Sequence, residues 1–212
     1  MIIYDYFRSS AAYRVRIALN LKGLDAERRS IHLANGAQHD AAYKAINPQG
    51  FVPYLVEDDF QLSQSLAIID YLDEKYPTPP LMPTNILLRA RARQIALIVA
   101  CDIHPLNNSR ILGYLSNDLK VSDTVKTQWV CGWIHDGFVA IESLLAARQS
   151  PTLFCVGDTP SVADICLIPQ VTNAHRFHCA IDNFPLIMGI YDAAMALPAF
   201  DLAQPMKQPD AF

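Results

Sequence analysis

The chain has 212 residues, enough to bury a sizeable core and intermediate in length between one large domain and two small ones. Hydrophobic residues make up 51% of it and charged residues 18%, a balance that excludes a disordered chain. Its 21 acidic side chains outnumber the 17 basic ones, for a net charge of -4, which argues against a nucleic-acid partner because such partners demand a basic face.

Ile2 to Phe7, rich in β-branched and aromatic residues, predicts a strand. Val15, Ile17, Ala18, Leu19 and Leu21 then supply an apolar helical face, ended by Gly23. Glu27 to Leu33 predicts a second strand and Asp40 to Ile46 a short helix. Two short strands, Val52 to Val56 and Phe60 to Leu62, flank the acidic turn Glu57-Asp58-Asp59, and Ile68, Ile69 and Leu72 mark a helix that stops before Tyr76-Pro77. The order βαβ then αββα is the thioredoxin-like pattern of parallel strands joined by a helix, followed by an antiparallel hairpin and a closing helix.

Pro77, Pro79, Pro80 and Pro83 forbid a helix across the next stretch, which reads as a linker. Beyond it the pattern is helical. Asn85 to about Tyr114 predicts a long helix that Pro105 kinks or breaks. Thr124 to Ala147 predicts another, with Trp129, Trp133, Phe138, Ile141 and Leu145 mostly on one face. Ser161-Val162-Ala163-Asp164 fits a capping box opening a helix towards Phe177, and a last helix covers about Pro185 to Leu197. The domains expected are 1–80, α/β and thioredoxin-like, and 84–212, all-α.

No run approaches the ~18 apolar residues of a membrane span, and Met1 leads straight into Ile2-Ile3-Tyr4 without a signal pattern, so a cytoplasmic chain with no membrane partner is expected. Cys101, Cys131, Cys155, Cys166 and Cys179 form an odd set without C-x-x-C spacing, which favours reduced, mostly buried thiols and no metal site.

Three short segments carry the chemistry. Ser9-Ser10-Ala11-Ala12 stands where a thioredoxin-like domain opens its first helix, and the absence of a thiol there excludes dithiol exchange. A hydroxyl at a helix N-terminus suits an external thiolate, because its hydrogen bond and the helix dipole both favour ionised sulfur. A plain helix cap is the competing reading. In the second segment, Pro53 stands where this fold normally has a cis peptide bond, with the Val52 backbone turned out to pair with an extended peptide. In the third, Gln64-Ser65 opens a helix whose free amides and hydroxyl suit a carboxylate, or simply cap it.

Arg8-Ser9-Ser10, Tyr13-Arg14-Val15-Arg16-Ile17-Ala18-Leu19, Asn47-Pro48-Gln49, Gln64-Ser65-Leu66-Ala67-Ile68, Val156-Gly157-Asp158, Ala163-Asp164-Cys166-Leu167-Pro169-Gln170 and Gln208-Pro209-Asp210 together resemble the zeta-class glutathione transferases, which include maleylacetoacetate and maleylpyruvate isomerases. The likeness covers nearly the whole chain. It implies the glutathione transferase fold, glutathione as cofactor, a homodimer, and cis-trans isomerisation of a maleyl diacid in aromatic catabolism. Family members commonly read Ser-Ser-Cys-Ser where this chain has Ser9, Ser10, Ala11 and Ala12. Ser9, with Ser10 beside it, is thus the catalytic position implied.

By the same resemblance Gln49, Val52, Gln64 and Ser65 hold glutathione, Val52 through its backbone. Asp102 and His104 precede the Pro105 kink as further glutathione residues, a capped or core histidine being the alternative for His104. A diacid needs fixed guanidinium forks, and Arg8, Arg110 and Arg176 are the expected substrate residues. Arg110 and His104 look more like bacterial maleylpyruvate-type members than animal ones, while Arg14 and Arg16 read as solvated surface charges. Two other functions share the thiolate site: a general glutathione transferase or peroxidase for small electrophiles, and a non-enzymatic glutathione-binding regulatory protein.

Overall fold

Strand β1 (Ile2–Asp5) is buried along most of its length and forms the centre of a four-stranded sheet in the order β2-β1-β3-β4. It pairs in parallel with β2 (Glu27–Ser30) and antiparallel with β3 (Tyr54–Glu57), which forms a hairpin with β4 (Phe60–Ser63). Helices α1 (Ser10–Lys22), α2 (Ala41–Ile46) and α3 (Ser65–Lys75) complete the βαβ-αββα order that the sequence predicts. The computed structural model describes residues 1–211. Strand β2 ends earlier than expected, at Ser30, and two 3₁₀ turns, Leu33–Asn35 and Ala37–His39, follow it around Gly36. The Val52–Pro53 peptide bond, whose isomer the sequence leaves open, is cis, and Thr78–Pro79 is cis as well.

Helix α1 starts and stops where its sequence dictates. Ser9 is extended and accepts a hydrogen bond from the Ala12 amide, while Gly23 takes the left-handed conformation (φ 63°) that closes the C-terminal turn. From Ala12 to Leu19 every residue is buried, including Arg14 (2% exposed) and Arg16 (4%). The expectation that these two arginines are surface charges is therefore corrected. Both find polar partners inside the first unit, which a helix-face pattern cannot reveal.

The chain divides into two compact units, Met1–Leu81 together with the tail from Ala196, and Met82–Met195. The tail returns to α1, so the second unit ends before the position 212 drawn from sequence. Its short helix α9 (Pro198–Asp201) receives the Tyr13 hydroxyl on the Phe200 carbonyl at 3.2 Å, Asn20 Nδ2 donates to Ala199 O at 2.9 Å, and Arg16 Nε donates to Ala203 O at 2.9 Å. These contacts join residues far apart in sequence.

Within the described residues the second unit is helical: α4 (Ile86–Leu97), α5 (Ser109–Asn117), α6 (Asp123–Ala146), α7 (Val162–Arg176) and α8 (Pro185–Met195). The predicted long first helix is broken, as Pro105 requires. A wide π-type segment, Ile98–Ile103, passes into a 3₁₀ turn, His104–Asn107, before Asn108 caps α5. The buried face of α6 runs through Val130, Ile134, Phe138, Ile141 and Leu145, with the two tryptophans beside it, Trp133 being 38% exposed. Ser161 and Asp164 form the predicted capping box, and Asp164 also accepts the Cys155 amide at 2.8 Å. Burial pushes the pKa values of both Asp164 and the Cys155 thiol up. Cys131 and Cys179, with Cα atoms 5.2 Å apart, form a disulfide, which corrects the expectation of reduced thiols for these two; Cys101, Cys155 and Cys166 are not disulfide-bonded. A pairing across 48 residues has no local spacing signature.

Candidate functional site

The three segments meet at one end of the sheet. Tyr4 lies opposite Tyr54, and Tyr54 opposite Ser63, so the chain leaving β1 for Ser9, entering β3 from Val52 and leaving β4 for Gln64 does so at the same end. Tyr6, Phe7 and Val52 share one buried aromatic cluster with Tyr4, Tyr43 and Tyr54.

Ser9 is the N-cap of α1, its Oγ accepting from Ala12 N at 3.2 Å, and Ser10 is the first helical residue. A hydroxyl offers one proton and two lone pairs, so this cap uses a lone pair and leaves the Ser9 O–H able to donate. The cap and the thiolate roles are compatible in one side chain. Arg8 is exposed but held: its Nη2 donates to the Tyr6 hydroxyl at 3.2 Å and its guanidinium lies 5.3 Å from the centre of the Phe7 ring.

Asn47, which is 2% exposed, shapes the second segment. Its Oδ1 accepts the Gln49 amide at 3.2 Å and its Nδ2 donates to Phe51 O at 2.8 Å, fixing the turn that presents Gln49 and Val52. Gly50 completes that turn at φ 68°, where an added Cβ would sit 2.8 Å from the Gln38 carbonyl oxygen. Gln64, at the N-cap of α3, has φ 72°, a conformation that costs a non-glycine residue about 1–3 kcal/mol and clusters where ligands are held. Its side-chain Nε2 donates to Gln49 Oε1 at 3.1 Å, so these two expected ligand residues are in contact. Ser65, the first residue of α3, accepts from buried Arg14 Nη1 at 3.2 Å.

The remaining expected residues belong to the second unit. Asp102 is exposed in the wide segment Ile98–Ile103, His104 opens the 3₁₀ turn, Arg110 lies in the first turn of α5 and Arg176 in the last turn of α7, over the Phe177 ring at 5.1 Å. Arg110 N is held by the Asn108 cap at 3.0 Å. The broken helix thus puts Asp102 and His104 on its irregular stretch and Arg110 in the helix that follows it.

Residues 3–80 match the family model for the glutathione S-transferase N-terminal domain. The probable maleylacetoacetate isomerase of Vibrio cholerae serotype O1 is 47% identical over 213 residues, which cover 100% of this chain and 98% of that protein. The holo structure of a maleylpyruvate isomerase, a bacterial glutathione S-transferase of the zeta class, superposes with a TM-score of 0.98 at 43% identity, with 100% of each chain covered. The chain belongs to the zeta class of glutathione transferases. The crystal structure of maleylacetoacetate isomerase from Methylobacterium extorquens AM1 with bound malonate and GSH has a TM-score of 0.96 at 38% identity, again over 100% of each chain.

Ala12 is buried (1% exposed) and serves through its amide, which caps onto Ser9. Residue-by-residue reading missed the supporting roles of Asn47 and Arg14. Asn47 carried a signal, an amide side chain just before Pro48-Gln49-Gly50 where Asx turns form. Arg14 carried none, because its partner Ser65 is 51 residues away.

Proposed function

We propose that the chain catalyses glutathione-dependent cis-trans isomerisation of a maleyl diacid, maleylacetoacetate or maleylpyruvate, to its fumaryl isomer in aromatic catabolism. The observation that carries this reading is the pairing of two helix N-termini at one end of the sheet, α1 with the spare Ser9 proton and α3 with Ser65 backed by Arg14. That donor set suits a ligand with a thiolate at one place and a carboxylate at another, as glutathione has. Gln64 and Ser65 are assigned to its γ-glutamyl end, Gln49 and the Val52 backbone to the tripeptide beside it, and Asp102 and His104 are further glutathione residues, His104 at the glycine end.

When bound, glutathione supplies the sulfur nucleophile that adds to the cis double bond, allows rotation about the resulting single bond and then leaves, so it is not consumed. Ser9 donates a hydrogen bond to the sulfur, with Ser10 and the α1 dipole adding positive potential, which together lower the thiol pKa from about 8.5 towards neutrality. Arg8, Arg110 and Arg176 anchor the substrate carboxylates and offset the negative charge that develops. The malonate and GSH bound by the Methylobacterium relative support a site for a dicarboxylate and a thiol.

The enzyme is read as a homodimer. Ile86, Leu87 and Leu88, 77%, 75% and 44% exposed, leave an apolar patch on the first turn of α4 that suits a second copy. It is placed in the cytoplasm, where reduced glutathione is maintained. No described helix is long and apolar enough to cross a membrane.

Incubating the purified chain with each maleyl diacid, with and without glutathione, tests the reaction. Fumaryl product should form only with glutathione, whose concentration should not fall. Turnover of chlorodinitrobenzene with one-for-one loss of glutathione, and none of either diacid, would establish a conjugating transferase instead.

A further inference from the structure

The loop between β1 and α1 carries Ser9, and its backbone is unusually well accounted for. Tyr6 N donates to Asp5 Oδ1 at 2.6 Å and Phe7 N to Asp210 Oδ2 at 3.0 Å. On the acceptor side, Tyr6 O receives Ser9 N at 2.9 Å and Phe7 O receives Arg16 Nη2 at 3.0 Å. All four main-chain polar groups of Tyr6 and Phe7 are thus engaged, and one of them depends on a residue near the end of the chain.

Asp210 does not sit there alone. Ser30 Oγ donates to the same carboxylate oxygen at 2.8 Å, and Arg28 lies 3.8 Å from the other. Arg28 also pairs with Asp5 and donates to Gln208 Oε1, and Arg16 Nη1 reaches Asp5 Oδ1 at 2.8 Å. Gln208, 6% exposed, is anchored in turn by donating to Leu202 O at 2.8 Å and Gln204 O at 2.6 Å. Asp5 is 1% exposed, so its charge requires these cationic partners. The network links the tail, the outer strand β2, the core strand β1 and helix α1 through a single loop.

We propose that Gln208-Pro209-Asp210 is a positioning strap for the Ser9 loop, with Asp210 acting on the Phe7 amide and Gln208 aligning Arg28 behind it. Asp210 touches neither glutathione nor substrate. It acts by holding Tyr6 and Phe7 so that Ser9, bonded through its own amide to Tyr6 O, keeps its hydroxyl at the start of α1. A hydrogen bond to sulfur weakens steeply when its geometry is lost, so a slack loop raises the thiol pKa without abolishing glutathione binding. The proposal rests on the reading of Ser9 as the thiolate donor.

The test compares Asp210→Ala, Asp210→Asn, Ser9→Ala and the control Asp201→Asn, which removes an ion pair with Lys207 in the same tail but leaves the loop contacts alone. Two quantities are read: amide hydrogen exchange at Phe7 and Ser9 in the glutathione-free protein, and the thiol pKa of bound glutathione from thiolate ultraviolet absorbance. Asp210→Ala should speed exchange at both amides about tenfold or more and raise the thiol pKa by about one unit. Asp210→Asn, which keeps an acceptor oxygen for Phe7 N, should recover most of both, and Asp201→Asn should change neither.

If Ser9→Ala raises the thiol pKa and Asp210→Ala moves neither quantity, the strap is wrong and the Ser9 reading stands. If Ser9→Ala itself leaves the thiol pKa unchanged, the Ser9 reading fails and the strap's role falls with it. Should Asp210→Ala not fold, Ser30→Ala, which removes one hydrogen bond to the same carboxylate, must show the same two changes at smaller size; their absence would overturn the proposal.

Discussion

Arg14 donates from Nη1 to the Ser65 hydroxyl at 3.2 Å, joining the first helix of the fold to the third at the point proposed for the γ-glutamyl carboxylate. Both groups are buried, at 2% and 6% exposure. With its oxygen accepting from Arg14, the Ser65 hydroxyl has its own proton to donate. Ser65→Ala should weaken glutathione binding by about 1.5–3 kcal/mol, the range for a hydrogen bond to a charged group, or roughly tenfold and beyond. Arg14→Lys should weaken it less, and the double variant should fall short of the sum, because both changes remove one interaction. Calorimetric titration checks this, and additive losses would separate the two residues.

The broken helix of the second unit is held by close packing at Gly137. A Cβ there would come within 2.2 Å of Ile103 Cδ1 and 2.4 Å of its Cγ1. Ile103 immediately precedes His104, so overpacking at this point disturbs the stretch that carries Asp102 and His104. Gly137→Ala should destabilise by about 1–3 kcal/mol in urea unfolding, and Gly137→Ala with Ile103→Val should recover part of the loss.

Glu57 provides a pH-dependent element of the first unit. Burial alone would raise its pKa, but hydrogen bonds from Lys75, Tyr71 and Tyr76 outweigh that and hold it below the ordinary value. A carboxylate depressed in the folded state stabilises above its unfolded pKa, about 4.3, and loses that contribution as pH falls through the folded value. Relative to Glu57→Gln, the native chain should therefore lose stability more steeply as pH drops below about 4.3, measured by thermal unfolding across the acid range.

What could be read from the sequence was whatever depends on neighbours along the chain. Ser9 and Gly23 delimit α1, Ser161 and Asp164 open α7 and Pro105 breaks the long helix, because caps and prolines act within one turn. Long-range partners were silent. Arg14 and Arg16 look like surface charges until Ser65 and Asp5 are placed beside them, and the tail joins the first unit through Phe200 and Ala203 carbonyls that have no sequence signature. The site shows the same division: Ser9, Gln64 and Ser65 were legible as helix starts and Asn47 as a local turn residue, whereas Asp210 acts on the Phe7 amide 203 residues away.

The most direct test of the thiolate mechanism is the pH profile of maleyl diacid isomerisation by Ser9→Ala with glutathione present. The rate at neutral pH should fall at least about tenfold and the profile should shift to higher pH, since a thiol one unit less acidic carries about a tenth of the thiolate well below its pKa. A Ser9→Ala enzyme with the native rate and profile would contradict the account.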